Sequence, residues 1–103
     1  MISLLEDNLD QIRKICARYG VALLEVFGSA ADGSFDPDCS DIDFLVEFKP
    51  DYDLGPWMAN YHDLRQELAE LLGRGVDLVM AGAPKNPFFI QEMNRTRKVL
   101  YAA

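Results

Sequence analysis

Two seven-residue stretches, VALLEVF at 21–27 and IDFLVEF at 42–48, constrain the fold of this chain more than anything else in it. The first reads as a strand by its length and β-branched content, and Gly28-Ser29 breaks it. In the second, Ile42, Phe44, Val46 and Phe48 alternate with Asp43, Leu45 and Glu47, the period of two that gives a strand one apolar face. Lys49-Pro50 closes it. About fourteen residues separate the two strands, too many for a tight hairpin. A connection of that length, loaded with polar residues, is more often functional than decorative.

Helices are expected on either side. Ser3-Leu4-Leu5-Glu6 has the spacing of a capping box, in which hydroxyl and carboxylate each satisfy a free backbone N–H. Leu5, Leu9, Ile12, Cys16 and Tyr19 then recur at helical intervals until Gly20. A second helix is expected to begin near Pro56, with Trp57, Tyr61, Leu64, Leu68 and Leu71 on one face before Gly73. VDLVM at 76–80 is a short third strand. Asn86-Pro87 suits the cap and first turn of a last helix, with Phe89, Met93 and Leu100 inward and Arg95, Arg97 and Lys98 where the helix dipole favours cations. The expected order is α-β-β-α-β-α, an α/β (α+β) fold in which helices cover a small mixed sheet. At 103 residues, the chain 1–103 is expected to be a single domain.

Charge narrows the function. Glu25, Asp32, Asp36, Asp38, Asp41, Asp43 and Glu47 crowd the region of the long connection, with no Lys or Arg among residues 25–48. The formal charge of -7 argues against a nucleic-acid backbone as the main partner, because such binding needs clustered cations. No stretch approaches the ~20 apolar residues of a membrane span. Two cysteines, Cys16 and Cys39, are too few for a disulfide framework, and the opening MISLLEDNLD lacks the form of a signal peptide, so a reducing cytoplasm is the expected location.

Asp41 and Asp43 stand at i and i+2 where the second strand begins, so an extended backbone puts both side chains on one face. Two carboxylates converging to ~5 Å repel by roughly 3 kcal/mol at an effective dielectric near 20. A divalent cation between them reverses that cost, and oxygen-only donors suit Mg²⁺. Asp77, between Val76 and Leu78, is the natural third member. Any one of these acids alone reads as a solvated strand end; the combination points to a metal. A calcium loop is the competing reading: Asp36, Asp38, Ser40 and Glu47 fit its first, third, fifth and twelfth positions. It fails at Asp41, where a glycine is needed, and at Asp43, where an apolar residue is usual. Gly28-Ser29 lets a ligand approach the backbone, and free N–H groups with a hydroxyl make an anion-binding concavity. Mg²⁺ would admit a triphosphate to this acidic loop.

These residues resemble a known family. Gly28-Ser29, then Asp41-Ile42-Asp43 with Phe44-Leu45-Val46, then Val76-Asp77-Leu78-Val79 are similar to the minimal nucleotidyltransferases (MNT) of the DNA polymerase β superfamily, and Lys98-Val99-Leu100-Tyr101 looks like that family's last helix. The resemblance implies a nucleotidyltransferase fold that binds ATP and two Mg²⁺ ions and transfers a nucleoside monophosphate to a hydroxyl. Many members are antitoxins paired with a HEPN-domain toxin, and active ones attach AMP to a tyrosine on it. It further implies that Gly28 and Ser29 hold the terminal phosphates, that Asp41 and Asp43 bridge the metals, and that Asp77 completes one metal shell and helps deprotonate the attacking hydroxyl.

The chain departs from the family at two points. The spacer between Ser29 and Asp41 is eleven residues against the usual ten, an insertion that the Asp36-Pro37 turn could absorb. Asp32 occupies the place of an arginine expected to meet phosphate. Either a distant cation such as Arg65 or Arg74 folds into the site, or nucleotide binding is weak. The alternative function is therefore an MNT-fold antitoxin that neutralises its toxin by binding alone, its acidic surface meeting a basic one. Of the remaining candidates, His62 reads as solvated helix surface, and Trp57, Phe88 and Phe89 as core or partner contacts.

Overall fold

The computed structural model describes residues 1–34 and 41–103. The calcium-loop reading of 36–40 and the Asp36-Pro37 turn lie outside the described residues. All three expected strands form over the expected spans: β1 (Val21–Phe27), β2 (Ile42–Phe48) and β3 (Val76–Met80). A fourth, β4 (Lys98–Ala102), completes a sheet of order β3-β2-β1-β4. β2 runs antiparallel to β1 and parallel to β3, and β4 pairs antiparallel with β1. The mixed α/β class is as expected, but the end of the chain differs. The last helix, α5 (Pro87–Thr96), stops at Arg97, and the segment carrying Leu100 is a strand. The reason is long-range: β1 has a free edge, and pairing satisfies its backbone groups where a helix would leave them open.

The amino-terminal helix also departs from expectation. It is broken into α1 (Ser3–Asp7) and α2 (Leu9–Arg18) at Asn8, whose side chain donates to Leu4 O at 2.8 Å. No side-chain cap forms at its start, so the capping box is absent. A four-residue helix, α3 (Ser29–Asp32), follows β1 directly. The long helix α4 (Ala59–Leu72) ends at left-handed Gly73, and Asn86 caps α5 by accepting from the N–H groups of Phe88 and Phe89. Trp57 is 94% exposed rather than inward. It and Met58 have positive φ (56° and 55°) just before α4, which takes Trp57 out of the helical stripe.

The sheet has two unlike faces. Leu24, Val26, Ile42, Phe44, Val46, Val76 and Leu78 join Leu5, Ile12, Cys16, Leu64 and Leu68 of α1, α2 and α4 in the main core. Phe44 is fully buried, worth roughly 1.5–3 kcal/mol in transfer alone. The opposite face carries a smaller cluster of Phe27, Leu45 and Met93, with Val79 packed on it. That face leaves the start of β2 and β3 for polar groups.

Candidate active site

Asp43 and Asp77 come into register at the edge of the smaller face. The ladder between β2 and β3 pairs Ile42 with Val76 and therefore Asp43 with Asp77, and β1 places Phe27 opposite Asp43. Residues paired in this way point to the same side of the sheet, with backbones ~4.8 Å apart. Asp41, one residue before the strand and exposed, lies next to Gly75, where a Cβ would strike its carboxylate. Asp43 is half-buried and Asp77 exposed.

The Gly28-Ser29 turn closes over this corner. Gly28 has φ +74°, and a Cβ there would sit 2.9 Å from Asp43 Oδ2, so glycine is needed both for the backbone and for the carboxylate. The Gly28 N–H donates to Thr96 Oγ1 at 2.8 Å and is therefore already taken. Ala31 and Asp32 N–H donate to Gly28 O, leaving the first two N–H groups of α3, on Ser29 and Ala30, without a helical partner. Those two groups and the Ser29 hydroxyl are the donors the turn could offer an anion.

Burial, then the charges of Asp77 and Asp41, push the Asp43 carboxyl up to about 6. Asp43 thus feels the charge of both other carboxylates. Among the described residues, no three His, Cys, Asp or Glu side chains stand close enough to share one ion. Mg²⁺ does not require three, since it is typically held by one or two carboxylates with water and phosphate oxygens completing its shell. The donor set is all oxygen, and two of its members stand at one register position. It fits Mg²⁺.

Cations arrive from α5 and the residue after it. Arg95 lies 3.7 Å from Asp32 and also pairs with Glu92. Asp32 is held below its usual range by hydrogen bonds from the Ser34 hydroxyl and N–H, and further by Arg95. Arg97 grips buried Glu25 through two 2.7 Å bonds. Arg65, one of the cations named as candidates for the site, donates to Val76 O at 3.4 Å, beside Asp77. His62 is exposed and touches the Tyr61 ring edge-on. Sequence reasoning did not find Gly75, Thr96, Arg95 or Tyr61. Only Gly75 carried a local signal, a glycine just ahead of an apolar strand with a carboxylate in it.

Comparison with known proteins bears on the family and the fold. The pattern of the family described as "Nucleotidyltransferase domain" matches residues 9–100. A candidate protein adenylyltransferase of Methanocaldococcus jannaschii is 41% identical over 90 residues, spanning 84% of this chain and 85% of that protein. The solved structure of a candidate minimal nucleotidyltransferase superposes with a TM-score of 0.72 at 31% identity, covering 91% of this chain and 90% of the other. A chain of a toxin–antitoxin crystal structure with AMP-PNP gives 0.70 at 26% identity, over 93% of this chain and 74% of that one.

Proposed function

Because the chain belongs to the nucleotidyltransferase domain family, we propose that it transfers AMP from ATP to a tyrosine hydroxyl of a HEPN-type toxin, acting in the cytoplasm as its antitoxin. The observation that carries this reading is the in-register meeting of Asp43 and Asp77 beneath the Gly28-Ser29 turn. Support also comes from the relative named for protein adenylyl transfer and from the likeness to a toxin–antitoxin structure with AMP-PNP.

Asp41, Asp43 and Asp77 would hold two Mg²⁺ ions. When bound, such ions neutralise phosphate charge and align an in-line displacement. The chain's own groups do the rest. Ser29, through its hydroxyl and N–H, orients the terminal phosphates, and Gly28 leaves room for them by lacking a Cβ. An Asp77 oxygen accepts the proton of the incoming hydroxyl. The new bond joins that hydroxyl oxygen to the α-phosphorus, and pyrophosphate leaves with the electrons of the broken P–O bond.

The test is transfer from ATP labelled at the α-phosphate, with Mg²⁺ and the toxin. Label should appear on the toxin and vanish with Asp43→Asn. An unlabelled toxin, or label indifferent to Asp41→Asn and Asp43→Asn, defeats the enzymatic claim. Neutralisation by binding alone is the second reading. Asp32 favours it, because it occupies the family's arginine position and engages Arg95. Under that reading the double Asn variant still protects cells from the toxin.

A further inference from the structure

β3 is the edge strand of the sheet, so only one side of it is held by a neighbour. Ile42 N–H donates to Gly75 O at 3.0 Å and Ala81 N–H to Val46 O at 2.8 Å, which fixes the odd-numbered backbone groups of this segment toward β2. In a parallel ladder the intervening residues turn their backbone groups the other way. Val76 O and Leu78 O therefore face the open edge, where an unpaired carbonyl is both a loss of hydrogen bonding and a template for a foreign strand.

Helix α4 lies along that edge and supplies two donors. The Tyr61 hydroxyl donates to Leu78 O, and Arg65 Nη1 donates to Val76 O at 3.4 Å. Residues 61 and 65 are one turn apart on one helix face, ~6 Å between them. The carbonyls of 76 and 78 are ~6–7 Å apart along a strand. The two spacings match, and the residue between the bonded carbonyls is Asp77.

We infer that Tyr61 and Arg65 are positioning residues for Asp77, a two-point tether that fixes an edge-strand carboxylate opposite Asp43. Asp43 sits in β2 with strands on both sides, so its backbone needs no such help. Asp77 has β2 on one side and, in place of a further strand, this pair of side chains. The inference rests on the reading of Asp77 as a metal ligand. Groups that orient such ligands commonly matter 10–100-fold for metal affinity.

Mn²⁺ alone is the probe, its free concentration followed by electron paramagnetic resonance, with urea denaturation run in parallel. Tyr61→Phe with Arg65→Met should weaken Mn²⁺ binding about tenfold. The sign is informative: removing the Arg65 charge beside Asp77 would by Coulomb attraction alone tighten cation binding. Arg65→Lys keeps the charge and a donor, and should bind within about twofold of the parent. Tyr61→Phe alone, which keeps the ring, should lose several-fold and serves if the double variant folds poorly. A role confined to guarding the sheet edge would lower the urea midpoint or promote association and leave Mn²⁺ affinity as it was, overturning the inference. Asp43→Asn separates the premise from the tether. If it leaves Mn²⁺ binding intact, the metal reading falls and takes the tether with it. If it abolishes binding while Tyr61→Phe with Arg65→Met binds normally, the tether alone is wrong.

Discussion

Replacing Arg97 with methionine should destabilise this protein by about 3 kcal/mol, and the value can be worked from one ion pair. The Glu25 side chain is 5% exposed and accepts from Arg97 Nε and Nη2, both at 2.7 Å. These are charge-assisted, two-pronged bonds of the strong kind. Truncating one partner of a buried pair costs about 3–5 kcal/mol, because the other charge is left in a poorly solvated place. The Arg97 side chain is 35% exposed, so water can follow it in, and the lower end of that range applies. Urea denaturation reads the effect directly. With a slope of ~1–1.5 kcal/mol/M for a chain this size, the midpoint should fall by ~2–3 M. The double variant Glu25→Leu with Arg97→Met should recover most of the loss, because Glu25 pairs with Leu45 above the apolar cluster and a leucine there has company. A single-variant loss under about 1 kcal/mol, or a double variant no more stable than the single, would refute the account of Glu25 as a buried charge held by one cation.

Two further outcomes concern the site corner. Gly28→Ala forces a Cβ into a φ of +74° and to 2.9 Å from Asp43 Oδ2, and should cost about 2 kcal/mol in the urea midpoint; a loss of a few tenths would mean the turn relaxes freely. The pH dependence of the metal-free protein, kept in chelator, follows from Asp43. Its folded-state value of about 6 lies above the ordinary 3.8, so the folded state takes up the proton more readily. Its contribution to stability is present below pH 3.8 and is lost as pH rises through 6. Asp43→Asn should therefore be the more stable protein at pH 7.5, by about 1 kcal/mol after allowing for the group's partial exposure, and the gap should close toward pH 4. A gap that is absent, or that widens on acidification, contradicts the crowding of Asp43 by burial, Asp77 and Asp41.

The strands were legible because their signal is local. IDFLVEF and VDLVM each carry an aspartate in second place after a β-branched residue, so aligning their apolar starts already sets Asp43 beside Asp77. β4 was not legible. Lys98-Val99-Leu100-Tyr101 follows a capped helix and suits its continuation, and what makes it a strand is the open edge of β1, more than seventy residues earlier in the chain. Trp57 failed for a different reason: its helical spacing is sound, but positive φ at Trp57 and Met58 displaces it from the helix whose stripe that spacing matches. The groups that support the site, Thr96 on Gly28 and Tyr61 and Arg65 on β3, all reach it from helices. Contacts of that kind leave no periodicity to read.

The acid-rich stretch also looks different once distant partners are placed. Of its described members, Glu25 is neutralised by Arg97 and Asp32 is engaged by Arg95, and both cations come from the end of α5 and the residue after it. Among the described residues no ion pair reaches Asp41, Asp43 or Asp77. If the acids served solubility alone, nothing would favour half-burying Asp43 where two like charges, on Asp77 and Asp41, act on it. Among the described residues, then, the ion pairs of this stretch fall on Glu25 and Asp32 and not on Asp41, Asp43 or Asp77. Burial first, and then the charges of Asp77 and Asp41, raise Asp43 and oppose its ionised form; under the proposed metal reading a bound divalent cation would relieve that cost, and folding and binding would be coupled.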